Sequence, residues 1–151
     1  MEKKNTQMIN LRHVGITVTS MDKSLALYRD LFDLKVIWDE IEQGEFVDSL
    51  SGIKNIKVRT VKLQDKIGGV IELLEYHSHP EKNGKNLNNK ITEIGCSHFA
   101  VTVNNLTEIY KKLTSVGLNF NDKPKISPNG KAKVCFCRDL DGTLIELVEE
   151  I

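Results

Sequence analysis

An internal duplication constrains this sequence more than any other feature. His13-Val14-Gly15-Ile16-Thr17-Val18 returns as His98-Phe99-Ala100-Val101-Thr102-Val103, and each copy leads into a helix-like stretch. Each half then closes on a similar apolar strand with embedded acids: Val70-Ile71-Glu72-Leu73-Leu74-Glu75 and Leu144-Ile145-Glu146-Leu147-Val148-Glu149. Repeated sequence means a repeated supersecondary unit, so both halves are expected to share one element order.

That order is legible in the hydrophobic periodicity. Val14, Ile16 and Val18 alternate with His13, Gly15 and Thr17, as in a strand with one apolar face. Ser20 or Asp22 can cap a helix running to about Phe32, with Leu25, Leu27, Tyr28, Leu31 and Phe32 as its apolar stripe. Strands are expected over Leu34 to Trp38, Ile56 to Leu63 and Val70 to Tyr76, with a polar insert and a short helix-like patch (Phe46, Val47, Leu50) before Gly52. The first module is therefore β-α-β-β-β over about residues 9–77. Residues 78–91, rich in Pro, Gly, Asn and charge, read as a linker. The second module, about 94–151, repeats the order. Its helix runs from about Leu106 to Val116 with Gly117 beyond its end, a loop carries Pro124, Pro128 and Gly130, and the last two strands flank the turn Asp139-Leu140-Asp141-Gly142. The fold class is α+β.

Strand parity aims chemistry at one place. In both copies the histidine lies on the strand face away from the apolar positions, beside small residues, so His13 and His98 point away from the helices. Glu72 and Glu146 lie between apolar neighbours on strands expected to be largely buried, and a buried carboxylate needs a cation. Two imidazoles and two carboxylates at matched positions form a four-ligand set for one divalent metal if the repeats pack face to face. Thr17 and Thr102 share the faces of the two histidines and are candidate pocket residues. Glu75 and Glu149 also repeat, but fall on the other face near the strand ends and read as exposed.

Composition excludes several classes. Lys+Arg and Asp+Glu balance at 21 each, so no global field favours nucleic acid or an anionic membrane surface. No apolar run approaches the roughly 20 residues of a membrane-spanning helix, and Met1 to Asn10 has no signal-like apolar core. Three cysteines do not make a disulfide framework, so a reducing, cytoplasmic setting is expected. Cys135 and Cys137 share one strand face and read as packing. His77 and His79 read as solvated, and Arg12, Arg59 and Lys131 to Lys133 as scattered surface cations. No phosphate-cradling glycine loop is present.

Arg12 to Val18, the helix Ser24-Leu25-Ala26-Leu27-Tyr28-Arg29-Asp30-Leu31-Phe32, Ile71-Glu72-Leu73, His98 to Val101 and Arg138-Asp139-Leu140-Asp141-Gly142-Thr143-Leu144-Ile145-Glu146-Leu147 together resemble the vicinal oxygen chelate superfamily. That superfamily includes glyoxalase I, methylmalonyl-CoA epimerase, extradiol dioxygenases, fosfomycin-resistance transferases and bleomycin-binding proteins, and the resemblance covers about Leu11 to Glu149. It implies paired β-α-β-β-β modules in an open, cup-shaped mixed sheet with helices outside. His13, Glu72, His98 and Glu146 match the superfamily's metal positions. One divalent ion (Ni, Co, Zn, Mn, Fe or Mg) is implied, with Glu146 as general base and Glu72 as its partner. The implied chemistry is a glyoxalase I-like lyase (lactoylglutathione lyase type) working through a metal-chelated enediolate on a small-molecule substrate. Alternatives are an epimerase-like isomerase, a metal-free drug-binding protein of the bleomycin-resistance type, and an Fe(II) extradiol dioxygenase. The insert at 43–53 resembles a lid that brings Phe46 or Leu50 over the pocket. A homodimer is the expected assembly, with the metal site within one chain or shared between two.

Overall fold

The computed structural model describes residues 7–80 and 90–151; the greater part of the expected linker, 81–89, lies outside the described residues. The first half runs β1 (Val14–Thr17), α1 (Met21–Leu25), β2 (Lys35–Gln43), α2 (Glu45–Ser51), β3 (Lys57–Gln64) and β4 (Val70–Tyr76). The second runs β5 (Phe99–Thr102), α3 (Leu106–Ser115), β6 (Asn119–Phe120), β7 (Lys125–Ile126), β8 (Ala132–Arg138) and β9 (Leu144–Glu150). Each half builds its own mixed sheet, ordered β1-β4-β3-β2 and β5-β9-β8-β6, with β7 also on β8. Opening and closing strands pair in parallel, β1 with β4 and β5 with β9. The remaining ladders are antiparallel. A parallel pair cannot be joined by a tight turn, and helix plus hairpin provide the long crossover that it requires.

The helices cover one face of each sheet. Ile16, Val61, Leu63 and Leu73 from the first sheet and Cys135, Cys137, Ile145 and Leu147 from the second join Tyr28, Leu106 and Leu113 in one buried cluster. The paired cysteines are packing groups, as expected. Burial pushes the Cys135 thiol up to about 11 and Cys137 to about 12. Helix α1 is capped by Ser20 and continues through Ala26–Leu31 as a wider π-helical turn, so the expected end at Phe32 holds. Gly117 follows α3 with φ of 89°, the left-handed conformation that a helix C′ position asks of glycine.

Several expectations need correcting. Strand β2 extends to Gln43, well past Trp38, because residues 39–43 pair with β3 down to Lys57. The Pro124–Gly130 region contains β7, which borrows hydrogen bonds from β8 at Val134 and Lys133. Glu75 and Glu149 are half-buried structural acids rather than exposed ones. The carboxylate of Glu75 accepts from the Met21 N–H at 2.8 Å, and that of Glu149 from the Leu106 N–H at 3.1 Å. Each closing strand thus caps the first turn of its own helix, satisfying an N–H that has no partner within the helix. His77 is not merely solvated either, because its ring lies 2.9 Å from Glu75. Arg59 makes a two-pronged bond with Asp39 on β2, which holds the Asp39 carboxyl low.

The two halves are joined through the turn at 139–142. Its Asp139 side chain accepts from the N–H groups of Asp141 and Thr143 and from the buried Tyr28 hydroxyl at 2.8 Å. Burial, and then the neighbouring Asp139, push the Tyr28 hydroxyl well above its usual range. Asp141 takes the backbone N–H and hydroxyl of Thr19, at 3.0 and 2.5 Å. Both acids of the turn therefore reach from the second half to the first.

Two outcomes follow from these contacts. Tyr28→Phe leaves a buried carboxylate short of one donor and is expected to cost about 1–3 kcal/mol in urea unfolding; a variant as stable as the parent would show that the bond is dispensable. Burial opposes ionisation of Glu75, but the Met21 N–H and the His77 ring outweigh it and hold the carboxyl below its ordinary 4.5. A depressed acid stabilises the fold above its unfolded value and loses that contribution as pH falls through the folded one. Glu75→Ala is therefore expected to cost about 1 kcal/mol at pH 7 and much less near pH 3, read by unfolding at both.

Candidate functional site

The sheet faces opposite the helices carry the expected donors. Glu72 lies across from Gly15 on β1, and Glu146 lies across from Ala100 on β5. His13 and His98 immediately precede these strands and share the face, so each ring reaches diagonally to the acid. The Nε2–Oε2 distance is 3.2 Å in both pairs, His13 with Glu72 and His98 with Glu146. The small residues opposite the acids matter. A Cβ at Gly15 would lie 3.8 Å from Oε2 of Glu72, an ordinary contact, so the first half tolerates the alanine that the second already has.

The surroundings of the two pairs differ. The Ser97 hydroxyl lies 2.8 Å from Nδ1 of His98, which fixes that ring with Nε2 toward Glu146. Phe136 meets the same ring edge-on, with centroids 5.2 Å apart. Beside Glu72 stands Lys62 instead, with Nζ 3.5 Å from Oε1 and 5.8 Å from the Trp38 ring centroid. Neither Lys62 nor Trp38 was singled out from the sequence. Cross-strand register is the signal that finds them, and it needs the sheet.

The pairs do not merge within one chain. Among the described residues, no group of three or more His, Cys, Asp or Glu side chains gathers closely enough to hold one ion. The structure thus brings together each histidine with its own acid, but not the four. A cavity of about 310 Å³ opens between the halves, lined by Thr17, His98, Phe99 and Arg138 among others. Thr102 is exposed on β5 and does not line it. Phe46 and Leu50 lie on α2 with 74% and 72% of their surface exposed and do not line it either.

The donor set suits a divalent ion. Two ligands on neighbouring positions of one ion, each bonded at about 2.1 Å, lie roughly 3 Å apart, close to the spacing seen in each pair. Neutral imidazole with carboxylate oxygen is a set used by several first-row metals. Each pair offers half of the donors that a four-ligand shell would need.

Comparison with known proteins gives a consistent picture. A family model for the Glyoxalase/Bleomycin resistance protein/Dioxygenase superfamily matches residues 10–147. A lactoylglutathione lyase of Schizosaccharomyces pombe is 33% identical over 150 residues, covering 93% of this chain and 47% of that protein, so the chain spans about half the length of this relative. Among solved structures, a glyoxalase family protein from Bacillus cereus superposes with a TM-score of 0.89 at 20% identity, covering 99% of both chains. The fosfomycin resistance protein FosX from Listeria monocytogenes superposes with a TM-score of 0.65 at 14% identity, covering 96% of both chains.

Proposed function

Because the chain belongs to the Glyoxalase/Bleomycin resistance protein/Dioxygenase superfamily, we propose that it is a divalent-metal-dependent lyase of the glyoxalase I type. It acts as a homodimer in which His13 and Glu72 of one copy meet His98 and Glu146 of a second. The observation that carries this reading is the pair of 3.2 Å His–Glu contacts at one register in both halves, unmerged within the chain. The identity to a lactoylglutathione lyase supports the reaction class. Exposed apolar side chains on β2 and α2, among them Ile37, Ile41, Phe46 and Leu50, offer surface for a second copy to cover. No helix among the described residues is long and apolar enough to cross a membrane.

His13, Glu72, His98 and Glu146 would hold a divalent ion, which would supply Lewis acidity toward a substrate carbonyl and so acidify the neighbouring C–H. The protein's own part is proton transfer. The Glu146 carboxylate takes the proton from the hydroxyl-bearing carbon beside the carbonyl and returns it to the former carbonyl carbon, while the hydroxyl proton passes to the former carbonyl oxygen, so substrate and product are isomers. Glu72 balances charge on the opposite side. The Ser97 contact holds His98 in a fixed orientation, so Glu146 moves protons beside a ring that does not turn with it.

Two measurements test this. Protein reloaded separately with Ni, Co, Zn or Mn is assayed with the hemithioacetal of methylglyoxal and glutathione. Glu146→Gln is expected to lose at least about 100-fold in turnover while retaining most of its metal, the scale on which a general base contributes. Absence of turnover in every reloaded sample overturns the lyase reading. The shared site is tested by mixing a chain carrying His13→Ala and Glu72→Ala with one carrying His98→Ala and Glu146→Ala. Neither alone retains metal. After subunit exchange about a quarter of all sites are whole, and metal binding recovers to that fraction; no recovery in exchanged dimers refutes the two-chain site.

A further inference from the structure

The duplicated halves differ at the cross-strand position beside each acid. Lys62 on β3 lies in register with Glu72. The same place in the second half is Phe136 on β8, in register with Glu146. The row continues differently as well. Trp38 on β2 is in register with Lys62, whereas on the far side of Phe136 the Asn121 N–H donates to the Phe136 carbonyl at 3.0 Å.

Trp38 reaches that position through a backbone irregularity. The β2–β3 ladder pairs Val36 with Leu63 and then Trp38 with Lys62, so Ile37 is the extra residue of a bulge. Without it, side-chain alternation would set Trp38 opposite Val61, whose side chain is fully buried on the helix face. The bulge turns the indole to the face of Glu72 and Lys62 instead, where it stays 48% exposed.

The ammonium itself has capacity to spare. It carries three donors, yet among the described residues its ion-pair partner is Glu72 alone, at 3.5 Å, longer than a tight charged hydrogen bond. Glu72 also faces His13. Glu40 and Glu42 lie further along β2, where Glu42 is engaged by the Thr60 hydroxyl.

We propose that Lys62 and Trp38 form a carboxylate-binding subsite beside the His13–Glu72 pair, so that the substrate carries an anionic arm toward the first half and an apolar part toward Phe136. This deepens the metal-dependent reading and rests on it for the position of the reacting atoms. Glu72 and Glu146 together offset a dication, so the Lys62 ammonium is left as a positive charge beside the four-ligand set, and it attracts an anion. The indole, with Nζ 5.8 Å from its centroid, holds the ammonium near its electron-rich face and leaves the other donors of Nζ to meet a carboxylate. Phe136 at the matching position presents only hydrocarbon, so the two ends of a substrate are distinguishable.

Trp38 is the chain's one tryptophan, so its fluorescence reports from the subsite itself. Nickel-loaded protein is titrated with acetohydroxamate, a small oxygen chelator, and with succinate monohydroxamate, the same chelating group carrying a carboxylate arm. The native protein is expected to bind the second about tenfold more tightly. Lys62→Met removes that preference and leaves acetohydroxamate affinity within about threefold. Phe136→Leu leaves the preference intact. A preference that survives Lys62→Met, or none in native protein that binds acetohydroxamate, overturns the subsite. Metal-free protein gives a second readout, quenching of Trp38 by iodide and by neutral acrylamide. Lys62→Met is expected to reduce iodide quenching about twofold and leave acrylamide quenching unchanged, because only the anion senses the lost charge. Iodide quenching that does not change refutes the subsite regardless of metal. If neither hydroxamate binds while the iodide effect is present, the metal reading falls and the subsite stands.

Discussion

Parallel pairing of the first and last strands within each half is the constraint on which the rest depends. It places residues far apart in sequence side by side at a fixed register, Gly15 against Glu72 and Ala100 against Glu146. An antiparallel hairpin would have needed only a short turn. The parallel arrangement needs a crossover, and the crossover supplies the helix that buries the other face. One topological choice therefore produces both the hydrophobic core and a donor-bearing open face. The His–Glu contacts at 3.2 Å are its direct consequence, because a histidine one residue ahead of the strand lies diagonal to the acid on the neighbouring strand.

The closing strands serve this arrangement with both of their faces. Glu72 and Glu146 point into the open side, while Glu75 and Glu149, three residues on, turn back to the first N–H groups of the helices. A strand alternates its side chains, so odd spacing between two acids sends them to opposite faces. The strand is thereby tied to its helix by a charged hydrogen bond as well as by packing, and the donor residue cannot move independently of the core. Across the halves, Tyr28–Asp139 and Thr19–Asp141 fix how the second unit meets the first.

The duplicated pattern made most of this legible. Strand parity in 13–18 and 98–103, the apolar stripe of α1 and the Asp139–Gly142 turn each carried a local signal strong enough to place an element. The helix-capping role of Glu75 and Glu149 was hidden because an acid near a strand end looks the same whether it meets water or a helix N-terminus. The length of β2 was hidden too. Residues 39–43 read as polar insert, since a solvent-exposed edge strand has no buried face to impose alternation. The short β7 depends wholly on β8 for its hydrogen bonds and leaves no periodicity of its own. The grouping of donors into two separate pairs depends on how the sheets are set against each other, which no local pattern encodes.

Duplication followed by divergence explains why the donor-bearing faces of the two halves match only in part. Positions that set the skeleton stay interchangeable between halves: small residues opposite the acids, aliphatic residues toward the helices, an acid capping each helix. Positions one strand further out contribute nothing to that skeleton and are free to differ. Lys62 and Phe136 occupy the same register relative to their acids, but one is a charge on a flexible stem and the other a rigid ring against a histidine. Two identical half-sites brought together would treat both ends of a substrate alike. An unsymmetrical pair makes the two ends of a bound molecule distinguishable, which the proposed proton transfer would need, since its base would have to face one carbon first. The bulge at Ile37 makes the distinction deeper, because it spends a break in the ladder to bring an indole to the cationic side only.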